Sequence, residues 1–228
     1  MPSEDICVKL KFNPEDLPVQ SLATEAAVPA SRLSADWLRQ HFLQPPTWTP
    51  ELADEHLLST ITSFKPASVL IPLVMRDQGL TLLLTHRAAH LNDHAGQISF
   101  PGGRCEDSDG SVVETALREA EEEVGLHRKH VDVIGILPEY LTGTGYQVTP
   151  VVALIQPPFE LKIDSSEVAS LFEVPLSFLM DGQNYQRRAF DLPNGQGQRV
   201  FYAIPYQQHF IWGATAGMLR NLFHLLRA

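Results

Sequence analysis

Cysteine is nearly absent: Cys7 and Cys105 are the only two in 228 residues. They could form at most one bridge, between an N-terminal arm and a loop, and two free thiols in a reducing compartment is the expected state. There is no apolar run of membrane-spanning length. The start, Met1-Pro2-Ser3-Glu4-Asp5, is acidic where a secretory leader would be basic and then apolar, so a cytoplasmic protein is expected. Basic residues are also few, 17 against 27 acids, for a formal net charge of −10. That balance excludes a polymeric nucleic-acid partner, which would require a basic field. It leaves room for a small anionic substrate held through a bridging cation. A hydrophobic share of 44% with 19% charged residues is that of a folded globular chain.

What is present begins with an arm. Residues 1–30 show no clear period and are punctuated by Pro14, Pro18 and Pro29. A short helix is predicted over 34–43, capped by Ser34, striped by Trp37, Leu38 and Phe42, and stopped at Pro45-Pro46. Regular structure starts near Pro66. Strands are predicted over 67–75 and 80–86 around the turn Asp77-Gln78-Gly79, then over 131–137, 146–155, 199–204 and 210–212. A Gly/Pro/Asp-rich loop covers 100–110. Helices are predicted over 111–124, 165–172 and 214–226, the last with Met218, Leu219, Leu222 and Leu225 on one side. This mixture implies an α/β (α+β) sandwich, with an extension over 1–65 and the regular domain over 66–228.

The helix over 111–124 carries the chemistry. Val113, Ala116, Leu117, Ala120 and Val124 fall on one face, which is predicted to be buried. Glu119, Glu122 and Glu123 occupy another arc of about 100°. At roughly 5–6 Å and an effective dielectric of about 20, each pair of these carboxylates repels by about 3 kcal/mol. A solvated acidic face tolerates this; a face lining a cleft requires a compensating cation. Gly125 sits where a helix C′ glycine belongs.

Two other readings of nearby residues are weaker. Asp107-Ser108-Asp109-Gly110 has the look of a calcium loop, but Cys105 and Ala116 stand where its essential carboxylates should be. His86, His90 and His94 recur every fourth residue as helical zinc ligands would, yet His86 ends a predicted strand and Asn92-Asp93 interrupts any helix.

The stretch Arg118-Glu119-Ala120-Glu121-Glu122-Glu123-Val124-Gly125-Leu126 resembles the second half of the Nudix box, Arg-Glu-U-x-Glu-Glu-x-Gly-U with U aliphatic. The front half departs: Gly103 lies one residue further back than the box places its glycine, Gly110 occupies the usual Glu position, and Asp109 is the nearest acid. A second motif resembles the coenzyme A pyrophosphatase branch of that family. Leu83-Leu84-Thr85-His86-Arg87-Ala88, then Asn92, Gly96 and Phe100-Pro101-Gly102-Gly103, stand in its register, with Ala88 in place of Ser and Asn92 in place of Arg. Three later stretches are also similar to that branch: 145–152, Glu167-Val168 with Pro175-Leu176, and 212–217.

The resemblance implies a Nudix α/β/α sandwich with a mixed sheet and the box helix packed on it. It further implies Mg²⁺- or Mn²⁺-dependent hydrolysis of a phosphoanhydride, in coenzyme A or its derivatives, giving 3′-phosphoadenosine 5′-phosphate and 4′-phosphopantetheine. Glu119 and Glu123 become the principal metal ligands, and Glu122 a further ligand or the group that takes the proton from water. Arg118 would orient a ligand carboxylate. His86, Arg87, Gly102, Gly103 and Arg104 become candidates for binding substrate phosphates, and Glu167 an additional candidate base. The choice of base among these acids is left open, and a homodimer is compatible with the family. The alternatives are a broader nucleoside-diphosphate or ADP-ribose-like hydrolase, and a Nudix module that binds a nucleotide without cutting it.

Overall fold

A strand buried on both faces reads as a near-continuous apolar run, and β2 (Lys65–Arg76) is such a strand, buried almost throughout from Ala67 to Val74. Leu70 and Val74 face one apolar cluster, Ile71 and Leu73 the other. The computed structural model describes residues 13–51, 61–91, 95–191 and 197–228. Of the cysteines, Cys105 is a free thiol, whereas Cys7 lies outside the described residues; so do Asn92 and His94. Among the described residues no helix is long and apolar enough to cross a membrane.

β2 is the centre of an eight-stranded mixed sheet. β8 (Tyr146–Ile155) pairs with it in parallel over its length, and β3 (Gly79–Arg87) pairs antiparallel. β4 (Ile98–Ser99) and β9 (Val168–Pro175) join β3, while β6 (Val131–Ile136) and β7 (Tyr140–Leu141) join β8. β5 (Gly102–Arg104) completes the sheet by pairing with β2 at Ala67, Ser68 and Val69. The edge of β2 therefore changes partner along its length. It pairs with β5 up to Val69, gives the Leu70 N–H to the Pro101 carbonyl, and pairs with β3 from Leu73. Pro72 falls in the changeover, where a missing N–H costs no ladder bond.

The long helix α2 (Val112–Val124) covers one face of this sheet. Ser111 caps it, its Oγ accepting the Glu114 N–H at 3.2 Å, and Gly125 ends it at φ 69°. Gly125 also lies against the Lys162 backbone, so a side chain there would be strained twice over. Ala116, Ala120 and Val124 are fully buried against the sheet, and these small residues let the helix axis approach closely.

A second, antiparallel sheet stands beyond the other face, in the order β1 (Val19–Leu22), β10 (Gln186–Asp191), β11 (Gln198–Tyr206), β12 (His209–Trp212). Two further helices pack on this side, α1 (Ala35–Leu43), capped by Ser34, and the C-terminal α4 (Gly213–Arg227); α3 is the single turn Leu176–Leu179. α4 is buried around most of its circumference, more than the one-sided stripe its sequence implies, because both sheets and the N-terminal segment surround it. The result is the mixed α+β architecture expected.

Several elements differ from expectation. The short strands β4, β5 and β7 are absent from the sequence reading, and β5 lies inside the predicted loop over 100–110. Residues 165–172 do not form a helix: they are a turn followed by β9, whose Val168, Ser170 and Phe172 alternate against β3, so tertiary pairing outweighs local preference. β10 has no counterpart among the predicted strands. The arm over 1–30 is not uniformly irregular, since Val19–Leu22 forms an edge strand whose four exposed residues carry no hydrophobic period.

The N-terminal segment is fastened by buried arginines. Arg188 Nη1 donates to the carbonyls of Pro14, Glu15 and Leu17. Arg220 of α4, 3% exposed, pairs with Glu25 and, at 3.2 Å, with Glu51. Burial raises the Glu51 carboxyl, but hydrogen bonds with His224 and Tyr202 and the charge of Arg220 outweigh it and hold the group at about 2. Its contribution to stability is therefore present above its ordinary value near 4.5 and is lost as pH falls toward 2. Arg220→Ala should destabilise the fold by roughly 2–4 kcal/mol at pH 7, somewhat below the full cost of breaking a buried pair because both acids are partly exposed. Urea denaturation of wild type and variant at pH 7 and pH 3 checks this, with a smaller gap at pH 3; an equal gap at both values would contradict the assignment.

Candidate active site

The changeover on β2 brings Gly102 and Gly103 onto the C-terminal half of α2. Gly102 is pressed so tightly on β2 that a Cβ would stand 2.6 Å from the Val69 Cα, and a Cβ on Gly103 would fall on the carboxylate of Glu119. Only glycine lets the loop pass between strand and helix. The three box glutamates do not share one environment. Glu123 is 3% exposed, Glu119 15% and Glu122 61% by side chain. Glu123 Oε2 accepts the Gly102 N–H at 3.1 Å, and its Oε1 lies 3.6 Å from Arg87 Nη1.

Arg118 gathers the rest. Its Nε and Nη2 donate to the two oxygens of Asp109 at 2.9 and 3.0 Å, and Nη2 also reaches the Arg104 carbonyl. Its Nη1 donates to Glu119 Oε1 at 3.0 Å and Glu122 Oε2 at 2.9 Å. Asp109 additionally accepts from Thr115 Oγ1 and the Glu106 N–H. Hydrogen bonds from Arg118 hold the Asp109 carboxyl well below the usual carboxylate range, and Asp109 in turn raises the Arg118 guanidinium. The acid in the loop before the helix thus anchors the arginine, and the loop's extra residue places Asp109 rather than Gly110 where it can do so.

Glu119 and Glu123 behave as carboxylates short of positive charge. Burial is the main cause that pushes Glu123 up to about 7, and it is opposed by the Gly102 N–H and Arg87 and reinforced by Glu119 and Glu167. Glu119 is raised by burial against the pull of Arg118, with Glu122 and Glu167 adding to the rise. Glu167 is therefore near both buried acids, although it belongs to the turn before β9 and not to a helix. Its carbonyl accepts the Ala88 N–H at 2.8 Å, which draws the turn to the end of β3. Among the described residues no three His, Cys, Asp or Glu side chains already close around a common point, since Arg118 and Gly102 each take carboxylate oxygens.

A cleft of about 1320 Å³ opens between the two sheets. His86, Arg87, Gly102, Gly103 and Arg104 line it, but Glu119, Glu122 and Glu123 do not; the glycine loop and Arg87 stand between acids and cleft. Arg87 connects the two, with its Nη1 toward Glu123 and a buried Nε that has no hydrogen-bond partner among the described residues. The opposite wall comes from parts of the chain carrying none of the motifs, including Tyr140, Arg187, Arg199 and Tyr202. No sequence signal marks them: Tyr140 belongs to β7, and the register of β10 with β11 sets Arg187 on the face of Tyr202 and Arg199 on the face of Phe190.

Gly102→Ala should cost stability, on the order of 1–3 kcal/mol as for other overpacked positions, because the clash is with backbone. Gly103→Ala meets a side-chain tip and should leave the melting temperature closer to wild type while displacing Glu119. Thermal melts of the two variants test this, and a larger loss for Gly103→Ala would contradict the geometry.

The model of the NUDIX domain family matches residues 64–188, from β2 through the box helix into β10. The uncharacterized Nudix hydrolase NudL of Escherichia coli O1:K1 / APEC is 46% identical over 159 residues, covering 69% of this chain and 81% of that protein. NudL of Shigella boydii serotype 18 gives the same figures, 46% over 159 residues. A solved Nudix hydrolase from M. smegmatis superimposes with a TM-score of 0.43 at 25% identity, covering 50% of this chain and 72% of that one. The chain belongs to the Nudix family, and it is a hydrolase.

Proposed function

We propose that this hydrolase cuts the phosphoanhydride of coenzyme A or a derivative of it, giving 3′-phosphoadenosine 5′-phosphate and 4′-phosphopantetheine. The observation that carries the site assignment is the pair Glu119 and Glu123, one turn apart on α2 against a loop that only glycine can form, both raised first by burial and further by Glu167, with Glu119 adding to the rise of Glu123. An all-carboxylate donor set of this kind suits a hard divalent cation, Mg²⁺ or Mn²⁺, and the pair's shortage of compensating charge is what such an ion relieves. Glu119 and Glu123 would hold it, with Glu122 at the exposed rim. When bound, the cation supplies charge neutralisation on the diphosphate and a more acidic water.

The remaining roles fall to the chain's own groups. Arg118 fixes the rotamers of Glu119 and Glu122 through its anchored fork. Arg87, with a donor to spare in the cleft wall, and the close-approaching backbone of Gly102 and Gly103 would receive the diphosphate, with His86 and Arg104 beside it. Glu122 or Glu167 would accept the proton lost by the attacking water. The coenzyme A assignment is supported by the upstream motif from Leu83 to Gly103 and by a cleft larger than the roughly 300–1,000 Å³ common for small-ligand sites. Residues 66–228 would be the hydrolase domain. The extension over 1–65 would share in the substrate wall, since Asn13, Pro14, Glu15 and Glu51 line the cleft.

Incubation with Mg²⁺ and chromatographic separation of products tests the substrate; intact coenzyme A beside rapidly cleaved ADP-ribose would reject it in favour of a broader nucleoside-diphosphate hydrolase. Glu123→Gln keeps an acceptor for the Gly102 N–H, so the melting temperature should be retained while turnover falls at least about 100-fold, as expected when charge stabilisation of the transition state is lost. Unchanged turnover would refute the role of Glu123.

A further inference from the structure

The turn that carries Glu167 is tied to the end of the helix that carries Glu119 and Glu123. The Lys162 N–H donates to the Val124 carbonyl and the Asp164 N–H to the Glu123 carbonyl, both at 2.9 Å. Gly125 permits this approach, since a Cβ there would stand 2.9 Å from the Lys162 backbone nitrogen. Asp164 then closes the turn. Its carbonyl accepts the Glu167 N–H at 3.0 Å and the Val168 N–H at 2.8 Å. Its Oδ1 accepts the Ser166 N–H at 2.8 Å and the Ser166 hydroxyl at 2.7 Å, the local bonding by which an aspartate shapes a turn. One residue is therefore bonded through its N–H to the backbone of Glu123 and through its carbonyl to the backbone of Glu167.

The end of β3 braces the same turn from the other side. The Ala88 N–H donates to the Glu167 carbonyl at 2.8 Å, and His90 Nε2 donates to the Ser166 carbonyl at 3.0 Å. Val168, 1% exposed, packs in the apolar cluster under α2 and stands opposite Arg87 in the pairing of β3 with β9. Glu167 thus has both its N–H and its carbonyl fixed although its side chain is exposed. Burial is the main cause that raises Glu119 and Glu123, and the charge of Glu167 adds to the rise of both. Glu122, the other candidate acceptor, has one oxygen taken by Arg118 Nη1 at 2.9 Å. So many bonds around one exposed acid are not needed to keep a surface turn folded; they suit a group that must stand within reach of a reacting water.

We propose that Asp164 is a positioning residue, which holds Glu167 beside the Glu119 and Glu123 pair so that Glu167 takes the proton from the attacking water. In that step the water oxygen bonds to phosphorus and its proton passes to the Glu167 carboxylate. The anhydride P–O bond breaks, and its electron pair leaves with the departing phosphate. The inference deepens the proposed hydrolysis and rests on it for the reaction, though not for the identity of the substrate.

A double-mutant cycle on the full-length protein with Mg²⁺ tests this, read on coenzyme A or, should wild type leave that intact, on ADP-ribose. Glu167→Gln should lower kcat at least about 100-fold, as loss of a general base does. Asp164→Ala should lower kcat at least about tenfold with KM within about twofold of wild type, the signature of a misplaced reacting group. Asp164→Asn keeps the acceptor oxygen and should restore most of the loss. In the Glu167→Gln background Asp164→Ala should cost less than about twofold more, because its effect passes through a carboxylate already removed. Hydrogen exchange of the metal-free Asp164→Ala protein should be faster at the Ser166 amide, with α2 and the melting temperature unchanged. Unchanged Ser166 exchange, equal losses in the two backgrounds, no rescue by Asp164→Asn, or full turnover by Glu167→Gln would overturn the proposal. Cleavage of ADP-ribose but not coenzyme A, with the cycle as expected, would reject the substrate reading and leave the positioning role standing.

Discussion

The fork of Arg118 is the interaction on which the rest of the site depends. One edge of the guanidinium is committed to Asp109 and the Arg104 carbonyl, the other to Glu119 and Glu122. A planar group with five donors can clip a loop to a helix in this way; a lysine, with a single point charge, could not hold both edges at once. Without the clip the glycine loop would keep its three-residue pairing with β2 and the single hydrogen bond from the Gly102 N–H to Glu123 of α2. Glu119 would then face Glu123 and Glu167 with no fixed positive partner. The same fork limits what Glu119 can do, since one of its oxygens is occupied and the other remains for a ligand.

The sheet makes that arrangement necessary. β2 gives its edge first to β5 and then to β3, and the loop over 100–103 enters at the changeover. Because the loop runs through a gap between strand and helix, Gly102 and Gly103 cannot carry side chains without displacing backbone or the Glu119 carboxylate. Gly102 and Gly103 thus serve two surfaces: one side accepts the acids of α2, and the other lines the cleft. Arg87, at the end of β3, crosses the same boundary.

How much of this could be read from the sequence follows the range of the interactions. The helix over 112–124 was legible because its apolar period, Ser111 cap and Gly125 terminus all act within a few residues. Ala120 marked the buried face, and the glutamate spacing marked the acidic one. Their unequal exposure was not legible, because it is decided by the glycine loop and by Glu167, both far along the chain. Residues 165–172 read as a helix because Ser165, Ser166 and Glu167 resemble a capped first turn; pairing with β3 over the full length of β9 decided otherwise. The anchoring role of Asp109 was hidden by the loop's extra residue, which moves the acid off the position the box reserves for it. β10 and Arg187 had no signal at all, since an arginine-rich strand gains its meaning only beside β11.

The net charge of the chain and the charge of the groups that line the cleft differ in sign. A chain of formal charge −10 repels a polyanion only over distances that solvent ions do not screen, about 8–10 Å at physiological ionic strength. Among the described residues Arg87, Arg104, Arg187 and Arg199 line the cleft, where an anion would be held at ranges that salt screens weakly. Most of the acids among the described residues are exposed, whereas Glu119 and Glu123 are kept apart from the cleft by the glycine loop. If the two buried acids hold a cation, the site presents positive charge along its whole length to the substrate, and the −10 outside it serves solubility rather than recognition. The separation of acids from cleft is then what allows one small domain to keep anionic ligands for a cation and an anionic substrate only a few ångströms apart.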